Sequence, residues 1–245
     1  MAERVAIVVG AAEPGEAVAT RLARDGYDVI LFDPRDPGEV AARVAKETGA
    51  RVVPAFGPLG EPEAIRGALP SVLAEVGHDA ADAIVYTLLG DDALVPRALA
   101  GLSHDEWTRL AEDPVRDGLT MLQVARDLLV PRVGRYVLVV PTVAIEGGAD
   151  LVPLATATES LRALAKSAAR RWAPLGVTVN MVTPDVFAYG AEHLRGTDVD
   201  RGEAVFPEPT TPADVADTVA LLLAPDAARV TGTTLIVDGG ALMTP

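Results

Sequence analysis

The chain has 245 residues, of which 49% are apolar and only 4% aromatic, and it carries a formal charge of −14 and no cysteine. That length can bury the core of one large α/β domain, and the apolar fraction excludes a disordered chain. The acidic balance argues against nucleic acid and anionic membranes, which need clustered cations, and the missing cysteines exclude disulfides, thiolate metal sites and cysteine nucleophiles.

Strands and helices alternate from the first residues. Arg4–Val9 is a β-branched run that ends at Gly10 and reads as a buried strand. Ala17, Val18, Leu22 and Ala23 have helical spacing within Glu16–Asp25, and Gly26 ends that helix. Val29–Phe32 is a second strand closing on Asp33, followed by a helix over Gly38–Thr48 that stops at Gly49. A strand over Arg51–Ala55, a helix over Glu61–Val76 and a strand over Ala83–Thr87 come next. The pattern continues with a helix over Val115–Val130, a strand over Tyr136–Val140, a helix over Thr156–Trp172 and a strand over Val177–Val182. Thr211-Pro212-Ala213-Asp214 is a helix start, with Thr as N-cap and Pro in the first turn, and that helix runs to about Leu223. Thr234–Val237 is the last strand.

Parallel strands need crossovers, so this alternation predicts a Rossmann-like doubly wound parallel sheet of about seven strands with helices on both faces. One domain over residues 1–245 is the simplest organisation, with one irregular Gly- and Pro-rich loop at about 185–210. The apolar stretch Tyr136–Ile145 is about half of what a bilayer needs. The run Val5–Ala12 lacks the basic lead of a secretory signal, so a cytoplasmic protein is expected. The three histidines are scattered without metal-ligand spacing.

The order of segments resembles the short-chain dehydrogenase/reductase family over nearly the whole chain. The tail carries the likeness best, in Thr211-Pro-Ala-Asp-Val-Ala and in Val230-Thr-Gly-Thr-Thr-Leu-Ile-Val-Asp-Gly-Gly240, and Ala173-Pro-Leu-Gly-Val-Thr-Val-Asn180 adds to it. The resemblance implies a catalytic Tyr with a Lys four residues later, an upstream Ser, and an Asn on the fourth helix. No Tyr-x-x-x-Lys exists in this chain: the residues four beyond its tyrosines are Leu31, Gly90, Val140 and His193. Counting back from Gly176 and Asn180 puts the Tyr position at Leu154 and the Lys position at Thr158. The Ser falls at Pro141 or Thr142 and the Asn at Pro114. A Thr hydroxyl can hydrogen-bond a carbonyl, but alone it supplies no proton near neutral pH.

The implied cofactor loop is altered as well. Of the family's three glycines, Gly10 and Gly15 remain, and Glu13, Pro14 and Glu16 fill the turn. Carboxylates suit the positive end of a helix dipole and repel a diphosphate arriving there. Tyr86-Thr87-Leu88-Leu89 replaces the small residues that leave room beside the cofactor, and two leucines would tend to close that space. Asp33 stands where the family has its ribose-binding acid, although Asp33 with Arg35 also reads as a solvated turn pair.

The resulting expectation is a catalytically inactive homologue acting as a structural or regulatory subunit. It would have no cofactor of its own, and Gly10, Gly15 and Asp33 would be its only nucleotide-binding candidates. NAD(H) or NADP(H) would sit in a homologous catalytic partner. The partner would be joined in a dimer or tetramer through helices 115–130 and 156–172 and the C-terminal segment. Whether the apolar residues Leu119, Leu122, Leu161 and Leu164 of these helices face the core or an interface is left open by the sequence. Two alternatives stand beside it. One is a small-molecule binder using a cleft lined by Leu88, Leu89 and Leu154. The other is an enzyme with unorthodox residues, in which Asp185, Tyr189 and His193 form an acid/base set and Tyr189 and His193 share one helical turn.

Overall fold

In the computed structural model of the chain, residues 3–90, 92–197 and 204–243 are described. Seven parallel strands form one sheet: β1 (Arg4–Val9), β2 (Tyr27–Asp33), β3 (Val52–Phe56), β4 (Ala83–Tyr86), β5 (Arg135–Val139), β6 (Thr178–Pro184) and β7 (Thr234–Val237). Their order is β3-β2-β1-β4-β5-β6-β7. The helices are α1 (Gly15–Arg24), α2 (Gly38–Thr48), α3 (Pro62–Glu75), α4 (His104–Trp107), α5 (Asp113–Leu128), α6 (Val143–Glu146), α7 (Val152–Trp172) and α8 (Pro212–Leu223). This is the doubly wound architecture that the alternation predicts.

Both faces of the sheet are buried, so its central strands are continuous apolar runs. Their period of two splits each strand between two cores. Val5, Ile7 and Val9 face the layer that holds Leu69, Met121 and Leu161. Ala6 and Val8 face the layer that holds Val18, Val44 and Val219. Aromatic residues are few, but Tyr136 and Trp172 meet edge to face at 6.2 Å in the first layer, a favourable ring geometry. Asn180 on β6 holds the tail: its Nδ2 donates to the Val230 carbonyl at 2.8 Å, and its Oδ1 accepts the Thr233 N–H at 3.2 Å.

Boundaries differ from the sequence pattern where local signals mislead. The helix predicted from Thr156 begins at Val152, because Pro153 in its first turn starts it without a capping side chain. The helix predicted from Val115 begins at Asp113 and is preceded by a π turn over Thr108–Glu112, which no sequence period announces. The Thr211 cap is as expected, with a reciprocal capping box to Asp214. Of the loop at 185–210, residues 198–203 lie outside the described residues; Val186–Tyr189 and Glu192–Leu194 are short 3-10 turns.

β1 can approach α1 only because Gly15 lacks a side chain. A Cβ there would lie 1.9 Å from the Gly10 carbonyl oxygen and 2.7 Å from Thr87 Oγ1. Gly15→Ala should therefore lower unfolding stability by at least about 2 kcal/mol, measured by urea denaturation.

Candidate functional site

The strand order reverses between β1 and β4, and such a switch point opens a crevice outside the carboxyl ends of the strands. Gly10, Asp33 and Thr87 stand at those ends. Gly10 has φ +109°, and its N–H donates to the Phe32 carbonyl at 2.8 Å. A Cβ on Gly10 would lie 2.6 Å from Thr87 Oγ1. The Thr87 hydroxyl donates to the carbonyls of Val9 at 3.1 Å and Gly10 at 3.3 Å. Asp33 is 5% exposed. Its Oδ2 accepts the Ala11 N–H at 2.9 Å and its Oδ1 the Arg35 N–H at 3.0 Å.

Two carboxylates stand near the start of α1, but they act differently. Glu16 turns outward and forms two bonds to Arg43 of α2, at 2.5 and 2.6 Å. Glu13 stays at the helix start, where its Oε2 accepts the Ala17 N–H at 3.3 Å. Desolvation raises the Glu13 pKa, the Ala17 N–H opposes this, Glu16 adds to it and Arg43 lowers it. The sequence expectation that carboxylates occupy this anion position therefore holds for Glu13 and not for Glu16.

Two connected spaces lie along the crevice. A cavity of about 140 Å³ is bordered by Gly10, Glu13, Thr87, Leu94 and Tyr189. A groove of about 330 Å³ is bordered by Pro34, Arg109, Pro114 and Asp117. Asp33, Arg35, Leu88, Leu89 and Gly90 line both. The two leucines therefore narrow the crevice without closing it at this end. Another cavity, of about 620 Å³, lies at the opposite end of the sheet between α1 and α8. Its charged groups are already paired, as in Arg21 with Asp25 and Asp217.

The other end of the crevice is filled. Leu154, at the family's Tyr position, is 3% exposed and packs with Val143, Leu151, Val186, Ala191 and Leu194. Leu89 and Leu94 pack against that cluster from the β4 side. Thr158 is buried, and its hydroxyl donates to the Leu154 carbonyl at 2.8 Å. Thr142 is buried at the end of β5, and its N–H donates to the Pro184 carbonyl at 2.8 Å. Pro114 sits in the first turn of α5.

Asp185, Tyr189 and His193 do not form an acid/base set. Gly190 has φ +74° and breaks the helical path between Tyr189 and His193, so the two do not share a turn. The Asp185 carboxylate accepts the Phe187 N–H at 2.8 Å. The exposed His193 donates through Nε2 to the Leu94 carbonyl at 2.9 Å, which ties the loop after β6 to the loop after β4. The Tyr189 hydroxyl is buried, has no hydrogen-bond partner among the described residues, and has its pKa raised by burial.

A family model described as enoyl-(acyl carrier protein) reductase matches residues 10–242. The chain belongs to the short-chain dehydrogenase/reductase family. The 3-oxoacyl-(acyl-carrier-protein) reductase FabG of Salmonella typhimurium is 27% identical over 98% of this chain and 98% of its own. A short-chain dehydrogenase from Burkholderia cenocepacia, solved in complex with NADP, is 27% identical with a TM-score of 0.83, covering 97% of both chains. A blue fluorescent protein from a metagenomic library, solved in complex with NADPH, is 26% identical with a TM-score of 0.84, covering 99% of both chains.

These comparisons overturn the expectation of a catalytically inactive subunit. A relative matched from end to end is named as a reductase, and two matched structures hold NADP or NADPH. Nothing in them points to a non-catalytic role. The expectation rested on the missing Tyr-x-x-x-Lys pair, the replaced Ser and Asn positions and the altered cofactor loop. The absence of Tyr-x-x-x-Lys says which groups do not move the proton, and it does not say that none does.

Short-chain dehydrogenase/reductase folds imply a dinucleotide, and the residues present fit its adenosine and diphosphate parts. Gly10 and Gly15 make a turn too tight for a Cβ at either position, and Asp33 and Arg35 border the open groove beside it. The end where Leu154 packs fits no ring in this conformation.

Asp117 of α5 escaped the sequence reading, because an Asp four residues after Asp113 on a helix looks like a solvated face. Desolvation, with Asp113 adding to it, raises its pKa from 3.8 to about 6. Folding thus disfavours its charged form: the penalty is absent below pH 4, grows up to pH 6 and is complete above it. Asp117→Asn should raise unfolding stability by about 1–3 kcal/mol at pH 8 and leave it nearly unchanged at pH 4, as read by urea denaturation at both values.

Proposed function

We propose that the chain is an NADP(H)-linked oxidoreductase acting on a carbonyl–alcohol pair. The observation that carries this reading is the open groove at the switch point, where Asp33 and Arg35 stand together at the end of β2. Both Asp33 oxygens already accept backbone N–H groups, so its charge is partly satisfied before any ligand arrives. Arg35, whose side chain is 71% exposed, is the group placed to meet a ribose 2′-phosphate. The end-to-end match to a reductase and to NADP- and NADPH-bound structures supports the same cofactor class.

NADP(H), held by the Gly10 turn and the Asp33–Arg35 groove, would supply hydride chemistry when bound. This chain's residues have other tasks. Gly10 lets the backbone approach the diphosphate, and Gly15 keeps α1 close enough to present its N–H groups. At the catalytic end the Thr158 hydroxyl is engaged with its own helix, which leaves Thr142 as the family position able to hold a carbonyl oxygen by hydrogen bond. The proton comes from a group other than a Tyr-x-x-x-Lys pair.

Titration with NADPH and NADH tests the reading. NADPH should bind in the micromolar range, and Arg35→Ala should weaken NADPH roughly tenfold with little change for NADH. No binding of either at millimolar concentration overturns the reading.

Association through helices α5 and α7 and the C-terminal strand, with a second copy or a homologous subunit, is part of the same proposal. Leu122 and Leu161 are taken up by the protein's own core, and Gly118 lets α5 pack closely on α7. Leu119 is left 39% exposed on α5, and β7 is the last strand of the sheet with half-buried residues throughout. Leu119→Glu should shift the protein to a smaller species in sedimentation, because a charge at an interface core is costly to desolvate.

A further inference from the structure

Positive charge on this acidic protein is unevenly held. Many of its arginines are tied to carboxylates, as in Arg24 with Glu47, Arg43 with Glu16 and Arg116 with Asp113. Arg132, Lys166, Arg170, Arg171 and Arg229 are exposed and have no ion pair among the described residues. They gather about the last two turns of α7 and the turns that enter β5 and β7. Folding brings these segments together. The Arg132 N–H donates to the Leu175 carbonyl at 2.8 Å, and a Cβ on Gly176 would lie 2.6 Å from the Arg132 Cα. In the turn before β7, a Cβ on Gly232 would lie 3.6 Å from the Ala169 Cβ of α7. Three apolar side chains stand exposed among the cations: Val133 at 51%, Leu175 at 44% and Val230 at 38%.

The carbonyl end of a helix favours cations in its last turn, which accounts for Arg170 and Arg171. It does not account for Arg132 and Arg229, which lie outside any helix, or for Lys166. Lys166 and Arg170 are four residues apart on α7, where like charges repel. Acidic residues outnumber basic ones by 35 to 21, yet none is placed to pair with this group. Asp127, the acid nearest to Arg132 in sequence, pairs with Arg126 instead. We infer that this end of α7 is a docking surface for an acidic protein segment that presents carboxylates around a few apolar side chains. Arginine forks match carboxylates in two-bond pairs, and arginine clusters are recurring readers of acidic motifs. Val133, Leu175 and Val230 take the apolar contacts. A nucleic acid would use the cations and leave these three side chains unpaired, and its further phosphates would meet a surface of net charge −14. The surface lies at the amino ends of the strands, opposite the groove beside Asp33, so it does not depend on the NADP(H) reading.

Fluorescence anisotropy of a labelled helical peptide of glutamate and leucine tests this on the full chain. The peptide should bind in the micromolar range at low salt and at least tenfold more weakly at about 0.5 M salt. Arg170→Gln combined with Arg171→Gln should weaken it about tenfold or more. Arg24→Gln combined with Arg116→Gln makes the same change in net charge elsewhere and should leave the affinity within about twofold. Leu175→Ser should weaken the peptide several-fold, because an apolar contact is lost. Urea unfolding of each variant separates lost docking from lost folding, and Arg132→Gln, outside any helix, removes a cation of the surface without touching α7. No peptide binding at millimolar concentration overturns the inference, as does an equal loss in the two double variants. Tighter binding of duplex DNA or of phosphatidylglycerol vesicles than of the peptide also overturns it. So does a smaller species in sedimentation for the Arg170 and Arg171 variant, which would make this surface a contact between copies of the chain.

Discussion

Everything at the site depends on one crowded point, where the ends of β1, β2 and β4 meet the start of α1. Gly10 and Gly15 are forced there by distance: any side chain would enter the space of a carbonyl oxygen or of Thr87. The polar atoms at this point satisfy one another. Thr87 bonds the two carbonyls that leave β1, and Asp33 collects the N–H groups of Ala11 and Arg35. A loop held by this many bonds from neighbouring strands has little freedom, so the crevice beside it is fixed before any ligand binds. The sheet supplies the rigidity and the glycines supply the access.

The crevice has two halves with different chemistry. Near β2 it is open, polar and bordered by ionisable groups, among them Asp33, Arg35, Arg109 and Asp117. Near α7 it is closed by apolar side chains contributed from four separate segments: the β4 loop, α6, the start of α7 and the turns after β6. The hydrogen bond from His193 to the Leu94 carbonyl joins two of these segments at the surface. The cluster is small and lies apart from the two main cores, and such satellite clusters under loops belong to the less stable parts of a fold. The end near α7 is therefore closed by loop contacts such as those of Leu194, Leu94 and Val186, not by the sheet.

The architecture was legible because its causes are local and repeated. Seven apolar runs separated by helical periods, with glycines such as Gly26 and Gly49 at helix ends, specify a doubly wound sheet. The roles of Gly10, Gly15 and Asp33 followed from the family resemblance laid over that pattern. Direction was not legible. Glu16 and Glu13 stand three residues apart at the same helix start, yet one is drawn away by Arg43 on a neighbouring helix and the other remains. Nor could spacing reveal that Gly190 adopts a left-handed conformation and separates Tyr189 from His193. The sequence shows Leu154 as a residue unable to donate a proton, but its burial among loop residues is a tertiary fact. The step from missing family residues to missing chemistry failed for a related reason. Motif positions identify one solution to proton transfer, and function resides in the whole site.

Glu13 shows how a helix start can be satisfied by a side chain where a glycine-rich turn leaves its backbone open. A glycine-rich turn holds an anion through N–H groups that are exposed because nothing covers them. Here Ala17, one of the early N–H donors of α1, is already bonded to Glu13. That bond satisfies the helix start in the free protein and raises the stability of the empty turn. It also places a negative charge where the ligand's would lie. A carboxylate that satisfies the helix start in the free protein opposes any anion that would take its place, so the free state of this turn is favoured by the same bond that fills it.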